Sequence, residues 1–89
     1  MDLEWKPVRT MGTYTRRSGE GTLIETYHDG YEVNATGAYI WSLIGGGRSI
    51  RQIIDEVSAK YGLDPTYAGG IVEDFVAALV ERGFVTVPA

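Results

Sequence analysis

The order of apolar and polar positions divides the chain into a β-rich first third and a helical remainder. Residues 22–28 are rich in β-branched and aromatic side chains, which predicts a strand, and residues 8–11 form a weaker strand candidate. Residues 16–21 between them are polar and contain glycine, so we expect a loop there. Asp29-Gly30 then predicts a two-residue hairpin turn into a returning strand at residues 31–33.

A two-residue turn at Asp29-Gly30 fixes the expected strand pairing. Thr26 would face Val33, and directly paired residues share one face of a sheet. The inner face is expected to be the one without carboxylates, and its members are Ile24, Thr26, Tyr31 and Val33. The opposite face would carry Leu23, Glu25, Tyr27 and Glu32.

Three helices are predicted after the hairpin, because each has a recognisable first residue. Asn34 is suited to cap the first helix, Ser49 with Gln52 forms a capping-box pattern, and Asp64-Pro65 suits the start of the third. Apolar residues follow at helical spacing, at Ile40, Trp41, Leu43 and Ile44, then Ile50, Ile53, Ile54, Val57 and Tyr61, then Ile71, Val72, Phe75, Val76, Leu79 and Val80. Glycines at 45–47, 62 and 83 are expected to end the helices, and residues 84–87 to form a short strand or a packed tail.

The third helix has a wider apolar band than one core requires. We expect the line of Val72, Val76 and Leu79 to seal the core, and an adjacent line to border a groove. That adjacent line consists of Ile71, Phe75, Ala78 and Arg82. Spacing alone allows both lines to be core. Gly69 and Gly70 should each weaken the helix by about 1 kcal/mol relative to alanine, and no pattern in the sequence explains them.

Composition indicates a single α+β domain over residues 1–89, with flexible ends expected at 1–7 and 88–89. The formal net charge of −4 argues against a nucleic-acid partner, which usually selects a basic surface. Residues 1–17 hold four basic and two acidic side chains, whereas the rest holds four basic and ten acidic ones. No segment is apolar enough for a signal peptide or a membrane span, so we expect a cytoplasmic protein without a membrane partner.

Residues that carry chemistry are scarce. The chain has no cysteine, which excludes disulfides and thiol catalysis, and His28 is its single histidine. No Asp, Glu or His cluster has metal-ligand spacing. Glycines 45–47 follow a helix and lack the Lys-Ser/Thr of a phosphate loop. We therefore expect a protein that is not an enzyme and needs no metal or cofactor.

The order of hairpin, capped helix, glycine turn and two further helices resembles the PqqD family, also called the RiPP recognition element. The resemblance covers roughly residues 20–87, and its pieces are specific only in combination. They are Val33-Asn34-Ala35-Thr36-Gly37, Ile40-Trp41, Leu43-Ile44, Gly46-Gly47-Arg48-Ser49-Ile50, Ile53-Ile54, Val72, Phe75, Leu79 and Glu81-Arg82-Gly83-Phe84-Val85.

This resemblance implies a winged helix-turn-helix fold, with a small three-stranded antiparallel sheet followed by three helices. It also implies that the domain binds the leader segment of a ribosomally made precursor peptide, which adds as an antiparallel strand beside the third strand. The peptide-binding residues that the resemblance implies are Tyr31, Glu32, Val33, Ile71, Asp74, Phe75, Ala78 and Arg82. Lysines of the peptide are expected at Glu32, Glu73 or Asp74, and Val33→Pro is the expected probe of strand addition.

Two branches of the family suggest different partner enzymes. The free-standing leader-binding protein of lasso-peptide pathways presents its precursor to a processing peptidase, and the Asp29-Gly30-Tyr31 hairpin ending and the compact C-terminus favour this branch. The alternative is a peptide chaperone for a radical SAM enzyme in pyrroloquinoline quinone biosynthesis.

Two further functions stay open at the level of sequence. Winged helices often bind DNA, although Glu73, Asp74 and Glu81 make the third helix a poor phosphate ligand. An exposed strand edge also allows a structural homodimer in which two copies pair with each other.

Overall fold

The computed structural model describes residues 1–19 and 21–86. Its elements in chain order are β1 (Val8–Arg9), β2 (Tyr14–Ser18), β3 (Gly21–Glu25), β4 (Gly30–Val33), α1 (Ala35–Leu43), α2 (Ile50–Tyr61), α3 (Pro65–Glu81) and β5 (Val85–Thr86). The α+β architecture, a three-stranded antiparallel sheet followed by three helices, is the one that the sequence predicts. The expected flexible end at 88–89, and residue 87 of the predicted tail, lie outside the described residues.

The sheet has the strand order β2-β3-β4, with both pairs antiparallel. The loop predicted from residue 16 is wrong, because Arg16 and Arg17 belong to β2 and the turn joins Ser18 to Gly21. Most of β2 is exposed, so the strand needs no alternation of apolar and polar residues, and its sequence shows none. Main-chain pairing with β3 and an ion pair between Arg16 and Glu25 hold it in place.

The pairing predicted across Asp29-Gly30 is also wrong, since Val33 lies opposite Thr22 and not opposite Thr26. Thr26 closes the turn earlier: its Oγ1 accepts hydrogen bonds from the amides of His28 and Asp29, at 3.3 and 3.2 Å. The difference is four residues, an even number, so the predicted faces survive the slip. Ile24 and Val33 are accordingly buried in the core.

The three helices begin where the sequence predicts. Asn34 Oδ1 accepts from the Gly37 amide at 2.9 Å, Ser49 and Gln52 form a complete capping box, and Asp64 caps α3. Gly62 ends α2 with a φ of 63°, a left-handed conformation that glycine adopts without strain.

The core lies between the inner face of the sheet and all three helices. Val72, Val76 and Leu79 of α3 are completely or almost completely buried, which confirms the predicted sealing line. The neighbouring line differs, because Ile71, Phe75 and Ala78 are only partly buried and Arg82 is exposed. The second line of α3 therefore borders the surface beside the sheet.

The two ends of the described chain meet in a second, two-stranded sheet of β1 and β5. The N-terminal segment, for which the sequence predicts a flexible end, lies against α2. The amides of Ile50 and Arg51 donate to the carbonyls of Trp5 and Leu3, at 2.7 and 2.8 Å. These bonds satisfy two donors that the first turn of a helix otherwise leaves without an intrahelical partner.

Candidate peptide-binding site

In the described part of the chain β4 lies at the edge of its sheet, with its main chain turned partly outward. The Thr26 amide donates to the Asp29 carbonyl at 2.8 Å, which makes these two residues a hydrogen-bonded pair. Because such pairs alternate in antiparallel ladders, Tyr31 and Val33 direct their N–H and C=O groups toward β3. Glu32 directs its own N–H and C=O away from β3.

Gly30 also faces outward, but side chains already engage it. Its amide donates to Asp29 Oδ1 at 2.8 Å, and its carbonyl lies 3.5 Å from Arg82 Nη1. Glu32 is therefore the central residue at which an extended peptide can form a main-chain pair with β4. Hydrogen bonds of this kind are the basis of strand addition.

A cleft of about 280 Å³ lies between the edge of β4 and the helices, and we call it the β4 cleft. Its lining comes from three elements: Tyr31, Glu32 and Val33 with the following Asn34, Thr36, Gly37 and Ile40 of α1, and Ile71 and Phe75 of α3. The structure thus brings together five of the predicted site residues. It adds four further residues, which the sequence suggests only as a helix cap, as parts of the family resemblance or as a core position of a helix: Asn34, Thr36, Gly37 and Ile40.

Gly37 makes the close packing at the floor of this cleft possible. A β-carbon at this position would stand 3.0 Å from Val33 Cβ and 3.2 Å from Phe75 Cε1. Both separations are tighter than ordinary van der Waals contact. The missing side chain lets the ring of Phe75 lie against the first turn of α1.

Tyr31 forms one wall of the cleft and is held between two rings. Its ring is stacked with that of Phe75 at a centroid distance of 6.3 Å and with that of Phe84 at 6.4 Å. The Arg82 guanidinium lies over the same ring, 4.6 Å from its centroid. Tyr31 is thereby fixed in orientation before any ligand arrives.

A second cleft, the α3 cleft, continues from the first along the helix. It measures about 620 Å³ and is lined by Asp64, Thr66, Tyr67, Gly70, Ile71 and Asp74. Ile71 lines both clefts, so the two lie next to each other along α3, and we call them together the groove. Tyr67 and Gly70 also line this groove, and the sequence did not predict them. The one available signal was Gly70 itself, a glycine inside a helix that no sequence pattern explains.

Three predicted contacts lie elsewhere. Glu73 lines a separate cleft with Leu3 and Arg51 on the α2 side of α3, so a lysine contact at Glu73 would lie outside the groove and stays a prediction. Ala78 is partly buried on α3 and lines neither part of the groove. Arg82 stands at the end of the groove, where it contacts Gly30 and Tyr31.

Residues 1–19 and 21–86 contain no group of three or more His, Cys, Asp or Glu that could hold a metal ion. Among the described residues two pKa values shift, both outside the groove: partial burial lowers the pKa of Arg9, and a hydrogen bond from its side chain to Glu4 raises the pKa of Arg51. In the same described residues, no helix combines the length and hydrophobicity of a bilayer span.

The chain matches a protein-family model over most of its length. Residues 21–85 match the family described as "Coenzyme PQQ synthesis protein D (PqqD)". The chain belongs to the PqqD family. No curated protein matches it.

A solved structure shares the fold of this PqqD-family chain. It is that of TbiB1 in complex with the TbiA(beta) leader peptide, and it superposes with a TM-score of 0.80. The two proteins are 20% identical, and the match covers 92% of this chain and 98% of TbiB1. At this identity the likeness establishes a common fold, and the role of each groove residue stays a prediction.

Proposed function

We propose that this protein is a non-catalytic domain that binds the leader segment of a ribosomally made precursor peptide. The leader adds as an antiparallel strand to β4 and places side chains in the β4 cleft. Main-chain bonds to Glu32 give affinity for an extended peptide, and the cleft selects among side chains.

The observation that carries this proposal is the outward-facing main chain of Glu32 beside a preformed cleft to which Ile71 and Phe75 contribute apolar surface. An edge strand without such a cleft would accept almost any extended chain, and a cleft without an edge would lack the main-chain contacts. Membership of the PqqD family supports the proposal, as does the fold shared with TbiB1, which was solved with a leader peptide.

The proposed partner enzyme is the leader peptidase of a lasso-peptide pathway, to which the domain would deliver the bound leader. Its support is the hairpin ending at Asp29-Gly30-Tyr31. A second candidate is a radical SAM enzyme of quinone biosynthesis, because the matching family is described by coenzyme PQQ synthesis. Co-expression with each enzyme and measurement of leader-dependent co-purification distinguish the two.

The binding proposal is tested by titrating ¹⁵N-labelled protein with the leader of its cognate precursor peptide. We expect amide shifts at residues 30–33, at Thr36 and Gly37, and at residues 71–75. A scrambled leader of the same composition is the control. Saturation without shifts at residues 30–33, or no binding at all, would contradict strand addition to β4.

A further inference from the structure

Charged side chains border the groove at both of its ends: Arg82 and Asp29 contact Gly30 at one end, and two aspartates border the other. Going along β4 from Gly30 toward Asn34, the facing residues are first Arg82, directly after α3, then Phe75 and Ile71 within α3. The strand and the helix therefore run in opposite directions on the two sides of the groove. Arg82 stands at one end, and Asp74 with Asp64 borders the α3 cleft at the other.

Arg82 already contacts the Gly30 carbonyl and the Tyr31 ring, but no ion pair among the described residues neutralises the end charges. The ion pairs found among residues 1–19 and 21–86 are Arg16–Glu25, Arg48–Glu56 and Arg51–Glu4, and none includes a charge of the groove. Asp64 caps α3, where it offsets the positive end of the helix dipole. Asp74 lies well inside the helix and is exposed, so it is the carboxylate best placed to meet a ligand cation.

A strand that adds antiparallel to β4 has a fixed order of contacts. Its N-terminal part passes Ile71 and enters the α3 cleft, and its C-terminal part passes Tyr31 and reaches Arg82. Antiparallel pairing is also slightly more stable per residue than parallel pairing. The charges of the groove therefore favour one order of charges in the peptide.

Resting on the proposed function, we infer that the groove selects peptides that carry a basic residue before the strand-paired segment and an acidic residue after it. The basic residue meets Asp74 at the α3 cleft, whose exposed Tyr67 also accepts its aliphatic stem. The acidic residue meets Arg82. The same charges disfavour a peptide bound in the reverse direction, which is how like charges generate specificity.

The test is a selection from a display library of random 14-residue peptides on the intact protein. Enriched peptides are sequenced and synthesised. The sequences of those that shift the amides of Tyr31–Val33 are then compared. We expect lysine or arginine before, and aspartate or glutamate after, an apolar centre. A nitroxide at the peptide N-terminus should broaden the amides of Tyr67 and Ile71, and one at the C-terminus those of Gly30 and Arg82.

Charge reversal gives the decisive comparison. In Arg82→Glu, a peptide with the expected order should bind about tenfold more weakly, since each surface ion pair contributes about two- to fivefold and the reversal adds repulsion. Replacing its C-terminal acid by lysine should restore affinity. The matched control is Arg17→Glu on exposed β2, which changes the net charge equally and should leave affinity unchanged. Arg82→Gln gives a neutral variant should the reversal disturb folding.

The outcomes separate the two proposals. Peptides that shift the β4 amides without a charge order, or whose affinity ignores Arg82→Glu, would overturn this inference and leave strand addition intact. If no enriched peptide shifts the β4 amides, strand addition itself fails and the inference fails with it.

Discussion

Gly37 on α1 and Phe75 on α3 lie so close that a β-carbon at position 37 would stand 3.2 Å from Phe75 Cε1. A glycine inside a helix weakens it by about 0.5–1 kcal/mol relative to alanine. In this position the glycine leaves room for an aromatic ring at the floor of the β4 cleft. The consequence is a site whose shape depends on a missing side chain.

The substitution Gly37→Ala tests this relationship. The new methyl group should push the Phe75 ring into the cleft and lower affinity for the leader about tenfold, while the gain in helix propensity offsets much of the strain. We expect the free energy of unfolding to change by less than about 1 kcal/mol. Peptide titration and urea unfolding measure the two effects, and unchanged affinity would contradict the assigned role of Gly37.

Gly69 offers the matched alanine substitution, because it lies in α3 away from the groove lining. A β-carbon there would make ordinary contact with Ile54 Cδ1 at 3.7 Å. Gly69→Ala should raise the free energy of unfolding by about 1 kcal/mol and Tm by about 4–8 °C, with affinity unchanged. Thermal unfolding followed by circular dichroism checks the first result. A loss of peptide affinity in this variant would show that the shape of the groove depends on α3 residues outside its lining.

Glu32→Pro should separate peptide binding from folding. Proline removes an amide that faces away from β3 and places its ring where the peptide would lie, so affinity should fall at least about tenfold. Proline is tolerated at a strand edge of this orientation, and we expect a stability loss of no more than about 1 kcal/mol. Isothermal titration and chemical unfolding are the measurements.

Val33→Pro, which the sequence suggests as the cleaner probe, is instead the control for Glu32→Pro. The Val33 amide faces β3, so this proline removes a bond of the native ladder and should cost about 2 kcal/mol or more. Equal stability losses in the two variants would contradict the alternation assigned to β4.

Tyr31 should contribute to stability through its ring and not through its hydroxyl. Tyr31→Phe keeps both stacked pairs and should change the free energy of unfolding by less than about 0.5 kcal/mol. Tyr31→Ala removes both pairs and should cost about 2–3 kcal/mol, together with most of the peptide affinity. Urea unfolding of the two variants checks this difference; a large loss in Tyr31→Phe would reveal a hydroxyl contact absent from the described structure.

The helix starts are predictable from sequence because capping chemistry is local. Asn34, Ser49 and Asp64 each accept a hydrogen bond from an amide two or three residues later, so a short window contains the whole interaction. The pairing of β3 with β4 is less predictable, since the Thr26 hydroxyl competes with the Asp29-Gly30 turn signal. The buried face was still predicted correctly, because the slip is even.

The site was predictable in its strand and only partly in its helices. Tyr31, Glu32, Val33, Ile71 and Phe75 follow from the family resemblance and line the β4 cleft as expected. The role of Gly37 depends on a residue far along the chain, and no periodicity reports such a contact. The strand that contains Arg16 and Arg17 was also missed in the sequence. It is an exposed edge strand, which needs no alternation of apolar and polar residues.

The two edges of the three-stranded sheet differ in how readily they could pair with a second copy of the protein. Charged side chains such as Arg17 protect the β2 edge against strand pairing, whereas the cleft keeps the β4 edge open. Self-pairing at β4 would use the same Glu32 groups as the leader, so the two events exclude each other. A peptide strand on β4 would therefore also block self-pairing there: at any concentration at which the free protein self-associates through β4, protein saturated with peptide should stay monomeric.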